Sequence, residues 1–189
     1  MIFNEDIKES LIVLKNGGII LYPTDTIWGL GCDATNPSAV EKIFQIKARS
    51  ESKSLLILVD GEVMLERHVI DIPEISFELT SVSDSPLTII YPKGKNLAHG
   101  VCNNDGSVGI RICREEFCNE LISRFRKPIV STSANLSGKT APQHFGEIEK
   151  YIIDRVDYVV KYRQDDRRKQ SASPVINMEQ NGTIKILRQ

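Results

Sequence analysis

Three short stretches of this chain place cations, hydroxyls or amides beside apolar runs, and loops leaving strand ends are where α/β proteins hold ligands. The first is Lys47-Ala48-Arg49, with Lys53 four residues further on. Arginine forks onto phosphate oxygens and lysine supplies a point charge, so this cluster suits a polyphosphate. Cations at the end of a helix are also favoured by its dipole, by about 0.3–1 kcal/mol each, so the pattern alone leaves both readings open. Lys47 and Arg49 are expected at a helix end facing solvent or a cleft. The second stretch is Ser131-Thr132-Ser133-Ala134-Asn135-Leu136-Ser137-Gly138-Lys139. Its hydroxyls and amide can hydrogen-bond phosphate or ribose without adding net charge. A Ser/Thr-rich turn explains that composition but not its place straight after an apolar run.

The third stretch is Leu21-Tyr22-Pro23-Thr24-Asp25-Thr26-Ile27-Trp28-Gly29-Leu30-Gly31, where two threonines flank a carboxylate and the glycines allow close backbone approach. An ordinary hydroxyl-rich turn accounts for it equally well. Arg111 stands inside the apolar run Val108-Gly109-Ile110-Arg111-Ile112. Arginine is seldom buried unpaired, so it is expected to face a cleft and an anion. Neither a P-loop nor G-x-G-x-x-G occurs, so a nucleotide would be held by side chains and not by a glycine cradle. No Ser-His-Asp or Cys-His arrangement supports a covalent nucleophile.

The elements that must position these residues follow from periodicity. Ile7, Leu11 and Leu14 share a face, and Gly17-Gly18 stops a helix over residues 5–15. Ile19 to Tyr22 reads as a strand. Asn36-Pro37 opens a helix that carries Val40, Ile43 and Phe44 and runs to Ile46 or Lys47. Leu55 to Val59 is a continuous apolar run, the pattern of a strand buried on both faces. A helix over 74–82, strands over 87–91 and 108–112, a helix over 115–125 and a strand over 128–131 follow. Lys93 to Asp105 reads as loop. Phe145, Ile148 and Ile152 mark a further helix, and short strands near Tyr158, Val175 and Ile184 close the chain. Strands alternating with helices predict an α/β fold with a largely parallel or mixed sheet. Lys161 to Lys169 (KYRQDDRRK) has mixed signs and no apolar period, which describes a solvated loop, with a mobile lid or an RNA contact as the alternative.

Composition bounds the class. The 189 residues are of single-domain size, and 41% apolar with 26% charged is material for a packed core, not for disorder. A formal net charge of −1, from 24 basic and 25 acidic residues, excludes a long nucleic-acid track unless its cations are clustered locally. The four cysteines and three histidines lie singly, without C-x-x-C, which fits neither a zinc framework nor a disulfide scaffold. No metal site of the chain's own is expected. The first twenty residues carry early acids and lack a basic start and a small-residue cleavage site, which argues against a signal peptide. With no apolar stretch long enough to cross a membrane, the expectation is a soluble cytoplasmic protein.

The runs YPTDTIWGLGCDA, KAR with SLLILV, VGIRI, STSANLSG and a terminal ILR together resemble the YrdC-type threonylcarbamoyl-AMP synthases, in order from Gly17 to Arg188. The resemblance implies a single YrdC-like domain over 1–189, with a twisted mixed sheet and helices around a concave basic cavity, as in the short form of the family. It implies a reaction joining L-threonine, bicarbonate or CO2 and ATP, with Mg²⁺, into threonylcarbamoyl-AMP and pyrophosphate. Partner proteins then move the threonylcarbamoyl group onto the adenosine next to the anticodon in tRNAs reading ANN codons. The family signature K-x-R…S-x-N falls on Lys47, Arg49, Ser133 and Asn135, which the resemblance makes the catalytic set. It puts Lys53, Ser107, Ser131, Ser173 and Arg188 on the nucleotide, and Thr26 and Arg111 on threonine, with Arg111 at its carboxylate.

The chain departs from relatives at Leu58, where many have His, at Ser83-Asp84-Ser85-Pro86, and at Pro174 and Asn177 within Ser173-Pro174-Val175-Ile176-Asn177. Leu58 implies a more apolar threonine pocket, and the last two bear on the final nucleotide contacts. A different class of reading is a non-catalytic, double-stranded RNA-binding paralogue in tRNA or ribosome maturation. A third is carbamoyl-adenylate chemistry, as in the YrdC-like module of hydrogenase maturation proteins, which normally sits in a much longer chain.

Overall fold

A computed structural model of the chain describes residues 2–48, 55–83 and 85–188. The first helix, α1 (Ile2–Lys15), starts three residues before the expected Glu5 and buries Asp6, Ile7, Ser10 and Leu14 on one face. It stops where Gly17 takes φ +70°, a conformation that costs glycine little. The amides of Gly17 and Gly18 close back onto the carbonyls of Leu14 and Val13. The next helix, α2 (Pro37–Lys47), opens as its sequence predicts, with the Asn36 side chain accepting from the amides of Ser38 and Ala39 and proline in the first turn. It ends at Ala48, which is left-handed with φ 47°.

Nine strands among the described residues form a mixed sheet. In chain order they are β1 (Ile20–Tyr22), β2 (Gly29–Gly31), β3 (Leu56–Val59), β4 (Thr88–Tyr91), β5 (Val108–Ile112), β6 (Ile129–Ser133), β7 (Tyr158–Val159), β8 (Val175–Met178) and β9 (Ile184–Arg188). Their order across the sheet is β7-β1-β2-β6-β3-β5-β4-β8-β9. The pairs β1/β7, β3/β5 and β4/β8 are parallel, and the remaining five are antiparallel. The run Ile57-Leu58-Val59 of β3 is fully buried at the sheet's centre, as continuous apolarity requires. Helix α5 (Glu116–Phe125) buries Phe117, Leu121 and Phe125 at the expected i, i+4, i+8 spacing. Its first turn is capped by the Glu115 carboxylate, which accepts from the Cys118 amide at 2.8 Å.

The structure differs from the sequence expectation at three places. Gly29–Gly31 is not turn but strand β2, hydrogen-bonded between β1 and β6. A Cβ at Gly31 would stand 2.6 Å from Tyr22 Cε1, so the glycine that reads as loop is what lets the tyrosine ring pass over this strand. Helix α3 (Glu62–His68) had no counterpart among the expected elements, while α4 (Ile75–Val82) matches the helix expected there. The helix expected across Phe145 to Ile152 is broken into a 3-10 turn over Phe145–Glu147 and a short helix, α6 (Lys150–Ile153). Between them Ile148 is extended, with φ −72° and ψ 127°, and points its side chain into the core. All four cysteines are free thiols. No helix among the described residues is long and apolar enough to cross a membrane.

Candidate functional site: an arginine- and hydroxyl-lined cleft

One cleft, of about 310 Å³, gathers six of the residues singled out from the sequence: Thr26, Arg111, Ser131, Ser133, Ser173 and Arg188. They come from separate parts of the chain, and the sheet order explains how they meet. Strand β6 lies between β2 and β3, with β5 on the far side of β3. Alternation along β6 sends Ser131 and Ser133 to one face, and Arg111 of β5 joins them there. The turn leaving β1 supplies Thr26. Its shape is set by Thr24, whose hydroxyl accepts from the Thr26 amide at 3.0 Å and donates to the Ile27 carbonyl at 2.8 Å.

At one end of the cleft two arginines converge on Ser173. Arg111 Nη1 donates to Ser173 Oγ at 3.2 Å, and that hydroxyl also contacts Thr88 Oγ1 at 2.8 Å. Arg188 donates from Nε at 2.8 Å and from Nη2 at 2.6 Å to the Ser173 carbonyl. Burial, and secondarily the charge of Arg111, lower the pKa of Arg188 from its ordinary value. A cation held against another cation in a partly dry site gains from any anion that enters. Arg111 is only 3% exposed, and the carboxylate it faces is internal: its Nη2 pairs with Asp25 Oδ1 at 2.9 Å. The expectation of a cleft-facing arginine thus needs this addition, since the turn after β1 already supplies a counter-charge.

Lys47 is where the expectation is corrected. It does not face solvent: it is 2% exposed, and its ammonium donates to the carbonyls of Ser133 and, at 2.7 Å, Asn135. The reason is that α2 ends against the exit of β6, where the Ser137 amide donates to the Lys47 carbonyl at 2.9 Å. Lys47 and Asn135 are not among the lining residues but stand directly behind Ser133. Asn135 donates to the carbonyls of Leu136 and Lys139, and its buried Oδ1 has no partner. Ser107 also lies away from the cleft lining, with its hydroxyl donating to Asp105 Oδ1 at 2.7 Å. Arg49 and Lys53 lie outside the described residues.

Of the departures, Leu58 is buried and paired in register with Arg111, so strand alternation puts it on the arginine's face of the sheet. Pro174 keeps its place at the start of β8 by accepting from the Thr88 amide at 3.0 Å. Asn177 sits within β8, in register with Ile90 and Lys185.

Other contacts around the cleft went unread in the sequence. Trp28 lines it, braced by Phe145 with ring centroids 4.9 Å apart. It is the chain's one tryptophan, which was the available signal. Arg163, expected in a solvated loop, is instead half-buried: Nη1 donates to the Thr24 carbonyl at 3.1 Å, and the guanidinium lies 3.6 Å from Glu115. The loop is pinned there because buried Asp6 accepts from the amides of Lys161 and Tyr162. Mixed charge in the sequence concealed both contacts.

The lining holds no histidine, cysteine or carboxylate among the described residues, and no group of three such residues gathers as a metal site among them. Fixed cations and hydroxyls can orient anionic groups and stabilise charge, and the lining carries no histidine or carboxylate that would activate one of these hydroxyls as a nucleophile. The fold is α/β, and the arginines and hydroxyls lining its cleft suit anionic groups. Residues 12–189 match the Sua5/YciO/YrdC family, described as "Telomere recombination", and the chain belongs to that family. It is 32% identical to the threonylcarbamoyl-AMP synthase of Pseudoalteromonas translucida, over 82% of this chain and 84% of that one. Against the threonylcarbamoyl-AMP synthase of Vibrio campbellii identity is 28%, over 98% of this chain and 99% of the other. Sua5 of P. abyssi, solved in complex with L-threonine, superposes with a TM-score of 0.84 at 25% identity. That likeness covers 96% of this chain and 53% of Sua5, so the chain spans about half of that protein's length.

Proposed function

We infer that this chain is a threonylcarbamoyl-AMP synthase, with one domain over 1–189 that joins L-threonine, bicarbonate or CO2, and ATP, and releases pyrophosphate. The observation that carries this reading is the convergence of Arg111 and Arg188 on Ser173, in a cleft whose remaining polar lining includes the hydroxyls of Thr26, Ser131 and Ser133. The product would serve threonylcarbamoylation of the adenosine next to the anticodon in tRNAs reading ANN codons, through separate transfer proteins, in the cytoplasm.

The chemistry asks for positioning and charge stabilisation. The threonine amine adds to CO2, and a carbamate oxygen attacks the α-phosphorus of ATP. The bond to the bridging oxygen of the β-phosphate breaks, and pyrophosphate leaves with the electron pair. Negative charge builds on the phosphoryl oxygens and on the leaving group, where preorganised donors act best. In this reading Arg111 and Thr26 hold threonine, with Arg111 on its carboxylate. Ser131, Ser133, Ser173 and Arg188 hold the nucleotide, with Arg49 and Lys53 on the triphosphate. Lys47 and Asn135 hold the β6 exit in shape behind Ser133. Mg²⁺ enters on the triphosphate as part of the substrate, since such ions are bound largely through phosphate oxygens and water.

The test is mass spectrometry of a short incubation with L-threonine, bicarbonate and Mg-ATP, with pyrophosphate followed in parallel and serine or omitted bicarbonate as controls. A threonine- and bicarbonate-dependent adenylate is the expected product. Pyrophosphate release indifferent to threonine would overturn the reading. So would an absence of both threonine and ATP binding, which would favour an RNA-binding paralogue.

A further inference from the structure

Asp25 has no part in the scheme above, yet it is the carboxylate in contact with the most buried cation of the cleft. Arg111 is met on two sides, by an ion pair of Nη2 with Asp25 Oδ1 at 2.9 Å and by a hydrogen bond from Nη1 to Ser173 Oγ. A guanidinium is a rigid plane carrying five N–H donors, so a hydrogen bond at one terminal nitrogen and a charge held against the other restrict how the plane can turn. Arg111 Nε is buried and has no partner, leaving a donor to be satisfied by a ligand. Asp25 reaches the arginine from outside the cleft: it lines a neighbouring cavity of about 180 Å³ together with Ile112 and Leu87. The Asp25–Arg111 pair is therefore the wall between the two spaces. Asp25 also sits between Thr24 and Thr26, whose hydrogen-bonded turn carries a cleft-lining hydroxyl. One turn thus places a lining residue and the carboxylate that orients the facing arginine.

We propose that Asp25 is a positioning residue for threonine. It holds the Arg111 plane so that the unused donors meet the substrate carboxylate, and it offsets the buried charge before substrate arrives. Without it, Arg111 would be held by Ser173 alone and pushed by Arg188, which binds the same serine. The proposal rests on the reading of Arg111 as the residue that receives the threonine carboxylate.

The experiment compares Asp25→Asn, Asp25→Ala, Arg111→Ala and the double variant Asp25→Ala/Arg111→Ala, by calorimetric binding of threonine and of ATP and by steady-state kinetics. Asp25→Ala should weaken threonine binding and raise its KM by about tenfold to a hundredfold, as loss of an orienting partner does. Asp25→Asn keeps an acceptor oxygen and should lose less. In both, ATP affinity and kcat at saturating threonine should stay within about threefold. In the Arg111→Ala background, removing Asp25 should cost nothing further, because its effect acts through the arginine. Unchanged or tighter threonine binding in Asp25→Ala would overturn the proposal, the latter by showing that Asp25 competes with substrate for the arginine. Equal losses for threonine and ATP with a lowered melting temperature would make its role structural and overturn it too. If Arg111→Ala binds threonine like the parent, it is the underlying reading of Arg111 that fails, a result distinct from the others.

Discussion

The ammonium of Lys47 lies on the main-chain carbonyls of Ser133 and Asn135, 86 and 88 residues away in the chain, so the first and last parts of the K-x-R…S-x-N signature are in contact. The contact ties the end of α2 to the exit of β6, and the serine that accepts it also lines the cleft. Lys47→Met keeps most of the stem's packing and removes the donor, leaving buried carbonyls short of a partner at about 1–3 kcal/mol. The expected result is a melting temperature lower by several degrees, together with a fall in turnover as Ser133 loses its support. Thermal unfolding followed beside pyrophosphate release checks both. Lost turnover at an unchanged melting temperature would instead make Lys47 a direct ligand of the reacting groups.

Arg188 is the cleft cation with the most solvent access, lying on the exposed strand β9 at the edge of the sheet. Both of its contacts go to the Ser173 carbonyl, and among the described residues it makes no ion pair. Arg188→Ala leaves the carbonyl of buried Ser173 without these donors, at up to about 1–3 kcal/mol of stability, and should lower kcat/KM by about a hundredfold to a thousandfold, the range for losing one charge-stabilising donor. Lysine at this position keeps a charge but not the fork, and should restore only part. Steady-state pyrophosphate release at varied ATP separates these outcomes.

How far the sequence could be read depended on whether a signal was local. Asn36-Pro37 and the i, i+4, i+8 row of α5 are local patterns, and both helices formed where expected. Of the named site residues, Thr26, Arg111, Ser131, Ser133, Ser173 and Arg188 share one cleft; the first four stood out by residue type beside apolar runs, Ser173 and Arg188 only through the family resemblance. What stayed hidden depends on contacts between distant segments. Strand β2 is made by its neighbours β1 and β6, not by propensity. Arg163 is ordered by Thr24 and Glu115, both remote in sequence. The burial of Lys47 depends on carbonyls contributed by β6 and its exit, which periodicity cannot disclose.

Gly31 offers a sharp packing test of the sheet beneath the site. A methyl group there would meet Tyr22 Cε1 at 2.6 Å and Ile129 Cγ2 at 3.0 Å, in a region with no exposed side. The tyrosine ring cannot retreat easily, since it is fully buried and its hydroxyl donates to the Val130 carbonyl at 3.3 Å. Gly31→Ala should destabilise the protein by about 1–3 kcal/mol, the usual cost of overpacking. Urea unfolding checks the value. A variant as stable as the parent would show that β1, β2 and β6 can separate without cost, which close packing of this core denies.

The last prediction concerns acid. His68, at the end of α3, is buried, and burial lowers its pKa from the ordinary histidine value; the carbonyl of Lys95 opposes this less strongly. Folding therefore weakens proton binding at this ring, while the unfolded chain takes up a proton near the ordinary pKa of about 6.5. The sign follows from proton counting. As pH falls through about 6.5 the unfolded state binds more protons at this ring than the native state, so stability drops, and the loss ends once the native ring is also protonated. The elements joined here are α3 and the loop over 93–96, since the Lys95 amide also donates to the His68 carbonyl at 2.9 Å. His68→Gln removes the titration and retains an amide that can hydrogen-bond. Urea midpoints of parent and variant, measured between pH 7.5 and 5, should diverge in slope, with the parent losing more stability as the solution is acidified. Parallel slopes would assign the acid sensitivity of the fold to other groups.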